Sequence, residues 1–248
     1  MIIIKTSSEI AKLRKANKLT HDALDLAGES IRPGMTTAEL DKIIEKFFKS
    51  HGAKSGFLGY GGFPGSACIS INEVVIHGIP GARVIEEGDI VSVDTGALID
   101  GYYGDSARTF AVGKVSETAK ALMQSTEESL YKALELVKPG VRLGDIGYAI
   151  SKYNEDRGFS VVREFVGHGV GRDMHEDPEV PNYGKPGHGQ RLMPGMVIAI
   201  EPMIAAGSAA IKVLPDKWTV VTRDNSLAAH FEHTIAVTSD GCVVLSAE

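Results

Sequence analysis

The sequence predicts an α+β protein made of two pseudo-symmetric α/β halves, with helices outside a central antiparallel sheet. Three observations predict it. Amphipathic helical segments occur as two pairs, each pair interrupted by a Pro-Gly step. An apolar strand follows each pair and ends on an acid. The two sets keep a nearly constant spacing: Pro33 and Pro139, Glu39 and Asp145, and Gly52 and Gly158 are each 106 residues apart. Gly88 and Gly195, and Asp94 and Glu201, are each 107 apart. A shared offset over helix, break, helix and strand marks a duplication. One catalytic domain over residues 1–248 is expected, with approximate halves 1–113 and 114–248.

Each element has its own signal. Thr6 and Glu9 form a capping-box pattern that opens the first helix, and Arg32-Pro33-Gly34 ends it. Thr36 and Glu39 repeat the pattern for a second helix that stops at Gly52. The stretch ETAKALMQSTEESLYKALELV is a third helix, broken by Lys138-Pro139-Gly140, and LGDIGYAISKYNEDRG is a fourth, stopped by Gly158.

The strands carry the chemistry. In VDTGALIDGYYGDSARTF the β-formers continue to a turn at Asp100-Gly101, which predicts a hairpin. Its arms set Asp94 opposite Asp105, or one diagonal step away if the loop closes at Asp100-Gly101. In the second half, Glu201 ends the strand of PGMVIAIE, and SLAAHFEHTIAVTSDG reads as the returning strand with Glu232. That second connection is 20 residues longer than the first and contains the sole tryptophan, Trp218.

Composition narrows the class. A formal charge of −6 without a long basic run argues against nucleic acid as the main ligand. Two cysteines, Cys68 and Cys242, provide no disulfide framework and suit a reducing cytosol. The start MIIIKTSSEI is too short for the apolar core of a signal peptide. No apolar run of 18 residues free of charge occurs, so no membrane partner is expected. These features predict a cytoplasmic protein.

Taken singly, an acid in a strand is an exposed edge residue. Four at pseudo-symmetric positions, each flanked by apolar residues, need a counter-charge. Divalent cations supply one, and an oxygen-rich site suits Mg, Mn, Fe, Co or Zn. Of the eight histidines, His21, His51 and His188 are expected at the surface. His233 should face away from Glu232 and serve structure. His230 shares the parity of Glu232 and is left open between the two readings. His77, His168 and His175 lie in glycine-flanked stretches at strand ends, where a site would gather them.

Together, GYGGFPGSACISINEVVIHGIP, GDIVSVDTGALIDGYYGDSARTF, FVGHGVGRDMHEDPEVPNY, MPGMVIAIEPMI and FEHTIAVTSDGC resemble the type I methionine aminopeptidases of the pita-bread metallopeptidase group. The resemblance covers essentially the whole chain. It implies the pita-bread fold and two divalent ions (Co, Mn, Fe or Zn) held by Asp94, Asp105, His168, Glu201 and Glu232. Asp105 and Glu232 would bridge the ions, His168 and Glu201 would complete one, and Asp94 would chelate the other. A water activated between the ions would attack the scissile carbonyl. Glu201 would accept a proton, His175 would donate to the substrate carbonyl, and His77 would contact the scissile amide or the residue after methionine.

The same resemblance places Tyr60, Phe63, Cys68 and Trp218 in the methionine pocket, with Phe57 and Met174 near its rim. Met174 stands where many relatives carry an aromatic, and Phe63 lacks a hydroxyl often found there. Both keep the pocket apolar. The expected substrates are N-termini of nascent polypeptides with a small second residue, and a monomer is the family default. A transient ribosome contact would be an added role, for which the acidic balance offers no basic patch. Two other readings share the fold. A peptidase cleaving before proline uses the same five ligands but usually carries a large N-terminal domain. A non-catalytic binding protein would be expected to lose ligands, and all five are intact here.

Overall fold

Both capping boxes form in the computed structural model, which describes residues 1–247. Thr6 Oγ1 accepts from the Glu9 amide, and the Glu9 carboxylate accepts from the Thr6 amide, opening helix α1 over Ser7–Ser30. Thr36 and Glu39 do the same for α2, Thr37–Ser50. The second pair is α3, Glu117–Leu136, and α4, Leu143–Glu155. Arg142 stands at the N-cap of α4, and Asp145 Oδ2 accepts from its amide at 2.9 Å. The acid of the capping pattern thus keeps its place in both halves. Gly52 and Gly158 follow the helices with φ of +69° and +82°, as helix-stopping glycines do.

The apolar periodicity of each helix selects what it covers. In α2, Leu40, Ile44 and Phe48 recur on one face and pack with Leu24 of α1 against Ile69, Ile71, Val91 and Val93. In the second half, Leu122 and Leu130 of α3 and Ile146 and Ile150 of α4 pack against Ile198, Ile200 and Ile235. Each helix pair therefore covers the strands of its own half.

Those strands join into one antiparallel sheet. Its order is Glu176–Val180, Gly167–Gly169, Val197–Ile200, Glu232–Val237, Ser106–Ala111, Ile90–Thr95 and Ala67–Ile71, with Cys242–Val244 also pairing Glu232–Val237. The seam between halves lies where Glu232 pairs with Ala107 and His233 with Ser106. Two side-chain bonds lock it. Ser106 Oγ donates to the Glu232 carbonyl at 2.6 Å, and Thr234 Oγ1 donates to the Asp105 carbonyl at 2.8 Å. This is the pita-bread architecture expected of the sequence.

The first hairpin closes at Asp100-Gly101, where φ is +54° and +76°, the left-handed pair that suits a tight hairpin turn. Ile99 pairs with Tyr102 and Asp94 with Ala107, so Asp105 is one diagonal step from Asp94. The diagonal alternative is the one realised.

Two expectations need correction. The single strand expected through Glu232 is two, Ala228–His230 and Glu232–Val237, because the chain changes sheets at Phe231. Ala228–His230 pairs with Met203–Ala205, outside the main sheet. His21 is not a surface residue but is 9% exposed. It faces the strand Ser106–Ala111, where its Nδ1 accepts from Arg108 Nη2 at 2.7 Å. Asp25 binds the other nitrogen of that guanidinium at 2.6 Å. Among the described residues no helix is long and apolar enough to cross a membrane.

Candidate metal centre and substrate pocket

The strand ends described above converge on one cavity of about 290 Å³, lined by every candidate residue of the sequence reading. Its floor is acidic. Asp94 ends one strand, Asp105 immediately precedes the next, Glu201 follows Val197–Ile200 and Glu232 opens the strand beyond. The surrounding chain fixes these positions. Asn17 Oδ1 in α1 accepts from the Asp105 amide at 3.1 Å, and Thr20 Oγ1 accepts from Ala97 at 3.0 Å. Gly104 permits that approach, since a Cβ there would lie 2.5 Å from the Ala16 carbonyl carbon. Asp41 Oδ1 accepts from the amides of Ser66 and Ala67, pinning the strand that places Cys68 beside Asp94.

Burial dominates the electrostatics of the floor. It pushes Asp94 up to about 7 and Glu201 up to about 8. Asp105 and Glu232 are raised well above the usual carboxylate range, by burial first and then by neighbouring carboxylates. Asp94 Oδ1, Asp105 Oδ1 and Glu232 Oε1 are enclosed and have no protein hydrogen-bond partner. Buried acceptors left in this way call for a cation or protons.

His168 completes the donor set. It lies in the short strand Gly167–Gly169, 9% exposed, and its Nδ1–H donates to the Gly169 carbonyl at 2.9 Å. That bond leaves Nε2 without a hydrogen, the arrangement of a ligating histidine. Burial holds its pKa down to about 4, so the ring is neutral. Nε2 stands 3.6 Å from Asp105 Oδ2 and 3.6 Å from Glu201 Oε1. Donor atoms of Asp105, His168 and Glu232 lie within 4.8 Å of one another. The residues present therefore fit a hard or borderline divalent ion by donor type, spacing and unsatisfied lone pairs. A second group, His21, Asp22 and Asp25, has comparable spacing, but the Arg108 guanidinium already occupies it.

Above the floor the walls turn apolar. Phe63 packs edge-on against Trp218, with centroids 5.2 Å apart, and Cys68 is a buried thiol whose pKa burial raises well above its usual value. Trp218 reaches this half because the insertion forms the strands Ile211–Val213 and Val220–Thr222, and the latter pairs with Val74–Ile76. Met174 is 1% exposed, so it forms the buried wall rather than the rim. The tight turn before His175 folds it inward, where its Cε lies close to Gly56. Phe57 is half-buried, and Tyr60, 40% exposed, stands at the opening.

His77 and His175 flank the mouth. His77 has φ +57°, a conformation that costs a non-glycine residue energy and tends to cluster at functional sites. Gly78 beside it has no space for a Cβ, which would lie 2.2 Å from the Ile69 carbonyl oxygen. Burial holds the His77 ring at a pKa of about 4, and Trp218 and Phe165 both meet it edge-on. His175 is exposed on one side, its ring centroid 4.2 Å from that of His168.

The sequence reading overlooked Phe165, although it lies three residues before His168 in EFVGHG. Ile76, Glu164 and Val166 also line the cavity and were overlooked with it. His230, left open earlier, is 1% exposed with Nε2 3.5 Å from Glu201 Oε2. His233 faces away as expected and bonds Ser246 Oγ through Nδ1 at 2.9 Å.

Carboxylates and an imidazole converging on one cavity at the ends of these strands are the build of a metal-dependent hydrolase. The family model described as metallopeptidase family M24 matches residues 11–239, and the chain belongs to that family. Methionine aminopeptidase 1 of Bacillus subtilis is 55% identical over 249 residues, covering 99% of both chains. The crystal structure of methionine aminopeptidase from Rickettsia prowazekii superposes with a TM-score of 0.98 at 45% identity, covering 100% of both chains. The prolidase from Pyrococcus furiosus shares the fold with a TM-score of 0.82 and 27% identity over 99% of this chain and 66% of that one. The resemblance to methionine aminopeptidases drawn from the sequence is borne out.

Proposed function

We propose that this chain removes the N-terminal methionine from nascent polypeptides whose second residue is small, using two divalent ions. The observation that carries the reading is the junction of two unlike surfaces in one cavity. Two buried carboxylates, Asp105 and Glu232, two partly buried ones, Asp94 and Glu201, and the bare Nε2 of His168 form the floor, and an apolar wall of Phe63, Cys68, Met174 and Trp218 stands beside it. High identity to methionine aminopeptidases supports the same substrate class.

Asp94, Asp105, His168, Glu201 and Glu232 would hold the ions. The ions, when bound, supply a Lewis acid and activate water at neutral pH. The chain's own residues do the rest. Glu201 accepts a proton in the reaction, the role that the resemblance implies for it. His175 donates from Nε2 to the substrate carbonyl as negative charge develops there. His77, neutral and held by Phe165 and Trp218, contacts the scissile amide or the second residue. Mn, Fe, Co and Zn all suit this donor set, and availability selects among them. The protein is proposed to act as a cytoplasmic monomer, with any ribosome contact transient.

The test is metal analysis of protein purified without added metal, with activity measured on a Met-Gly-X peptide before and after chelation. Release of methionine that chelation abolishes and a divalent ion restores is expected. Turnover unaffected by thorough metal removal would refute the metal centre.

A further inference from the structure

The imidazole of His230 has no part in the function just proposed, yet it is buried beside the metal floor. It ends the strand Ala228–His230, two residues before Glu232. Thr109 holds its backbone from both sides: Thr109 Oγ1 accepts from the His230 amide at 3.0 Å and donates to the His230 carbonyl at 2.8 Å. Ser92 Oγ in turn lies 2.8 Å from Thr109 Oγ1. Pairing with Met203 fixes the remaining side. On this fixed backbone the ring is enclosed, with 1% of the residue exposed.

It points at Glu201. His230 Nε2 is enclosed, makes no hydrogen bond, and stands 3.5 Å from Glu201 Oε2. The two oxygens of Glu201 thus face two different imidazoles. Oε1 is 3.6 Å from His168 Nε2, whose hydrogen is committed to the opposite nitrogen. A bare nitrogen and a carboxylate oxygen facing each other make a ligand pair. An N–H facing a carboxylate oxygen makes a hydrogen bond instead, and a small rotation of the Glu201 side chain brings 3.5 Å to hydrogen-bond length. A buried ring nitrogen without a partner is unfavourable, so this contact also satisfies His230. Direct ligation fits less well, since His168 Nε2, bare by its bond to Gly169, faces both Asp105 and Glu201, whereas His230 Nε2 faces Glu201.

We propose that His230 is a positioning residue: its Nε2–H donates to Glu201 Oε2 and so keeps Oε1 turned toward His168 and the metal position. The inference rests on the metal centre proposed above. It makes the ligand geometry of Glu201 a property of the folded chain before any ion arrives. Such outer partners of ligating carboxylates are worth roughly 10- to 100-fold in metal affinity.

The test compares the unchanged chain with His230→Leu and His230→Gln, all freed of metal and titrated calorimetrically with Mn²⁺ alone. Melting curves of the metal-free proteins establish that each is folded, and His230→Met replaces the leucine variant if that one is not. The apolar variant should bind Mn²⁺ roughly 10- to 100-fold more weakly. Glutamine, whose amide N–H can reach the same oxygen, should recover most of that loss. On a Met-Gly-X peptide, kcat should fall in the apolar variant with KM unchanged, and return with glutamine. Unaltered Mn²⁺ affinity in a folded apolar variant overturns the assignment, as does a glutamine variant no better than leucine. Failure of the unchanged chain to bind Mn²⁺ would remove the metal centre, and this inference with it.

Discussion

The Tyr60 hydroxyl lies 2.7 Å from Nδ1 of His175. Burial raises the phenol pKa and lowers that of the imidazole, so both groups are neutral. Between a neutral phenol and a neutral imidazole, the phenol is the donor. Nδ1 of His175 is then an acceptor and its hydrogen sits on Nε2, where it can be offered to a substrate carbonyl. Tyr60→Phe removes that constraint while keeping the ring. It should lower kcat roughly tenfold, the worth of about one hydrogen bond, with metal content unchanged. Equal kcat in the two proteins would show that the tautomer is set elsewhere.

His175 itself should matter more. His175→Ala is expected to lower turnover by roughly 10²-fold, the cost of one donor to a developing oxyanion. Metal content, measured on the same preparation, should stay normal because His168, not His175, faces the carboxylates. Lost metal would instead make His175 a ligand.

Asp105→Asn and Glu232→Gln test the shared carboxylates. Asn17 holds the backbone amide of Asp105, Thr234 its carbonyl and Ser106 that of Glu232, so both variants should fold. Each should lose most activity and bind both ions more weakly. Near-normal turnover with two bound ions in either variant would refute the bridging assignment.

The repeat made much of this legible from the sequence. Capping residues, glycine stops and strand acids recur at fixed offsets because each half solves the same local problem with the same residues. Asp100-Gly101 carried the hairpin register, since that dipeptide tolerates the left-handed turn. What stayed hidden depends on contacts between distant segments. Nothing in Trp218 or its neighbours tells that Val220–Thr222 will pair with Val74–Ile76 and carry the indole across to Phe63. The burial of His21 needs Arg108, 87 residues away, to supply its partner. Phe231 resembles any strand residue, so the change of sheets there has no local mark.

The pH dependence of metal binding follows from the buried floor. Asp94 at about 7 and Glu201 at about 8 hold protons in the folded, metal-free chain that an unfolded chain releases near 4. These groups therefore make the metal-free protein less stable as pH rises from about 4 to about 8. His77 and His168, held at about 4, act oppositely, but only between about 4 and 6.5. Above 6.5 only the carboxylate contribution remains. Bound ions replace those protons, so the rise in Tm produced by Mn²⁺ should grow from pH 6.5 to 8. Calorimetric scans with and without Mn²⁺ measure it; a difference that stays flat over this range contradicts the coupling.

Substrate choice should follow the walls of the cavity. One side is lined by Phe63, Cys68, Met174 and Trp218 and offers an unbranched thioether an apolar surface without a charged partner. The residue after methionine must lie beside His77, whose ring is fixed by Phe165 and Trp218 and whose backbone cannot retreat past Gly78. Gly, Ala, Ser, Thr, Pro, Val and Cys should be accepted there. Larger side chains meet a rigid wall, and a clash of that kind can exceed the ~1–3 kcal/mol that one methylene is worth in a pocket. By this rule the Met1-Ile2 sequence at the start of this chain is a poor substrate for its own enzyme. A series of Met-X-Gly peptides, with X running from Gly to Ile, should show kcat/KM falling sharply beyond valine. Parallel peptides beginning with Leu or Phe should be cut far more slowly than those beginning with Met. Efficient cleavage of Met-Ile-Gly, or preference for Leu or Phe at the first position, would overturn the assignment of a small-second-residue methionine aminopeptidase. Cleavage confined to X = Pro would point instead to the specificity of a prolidase.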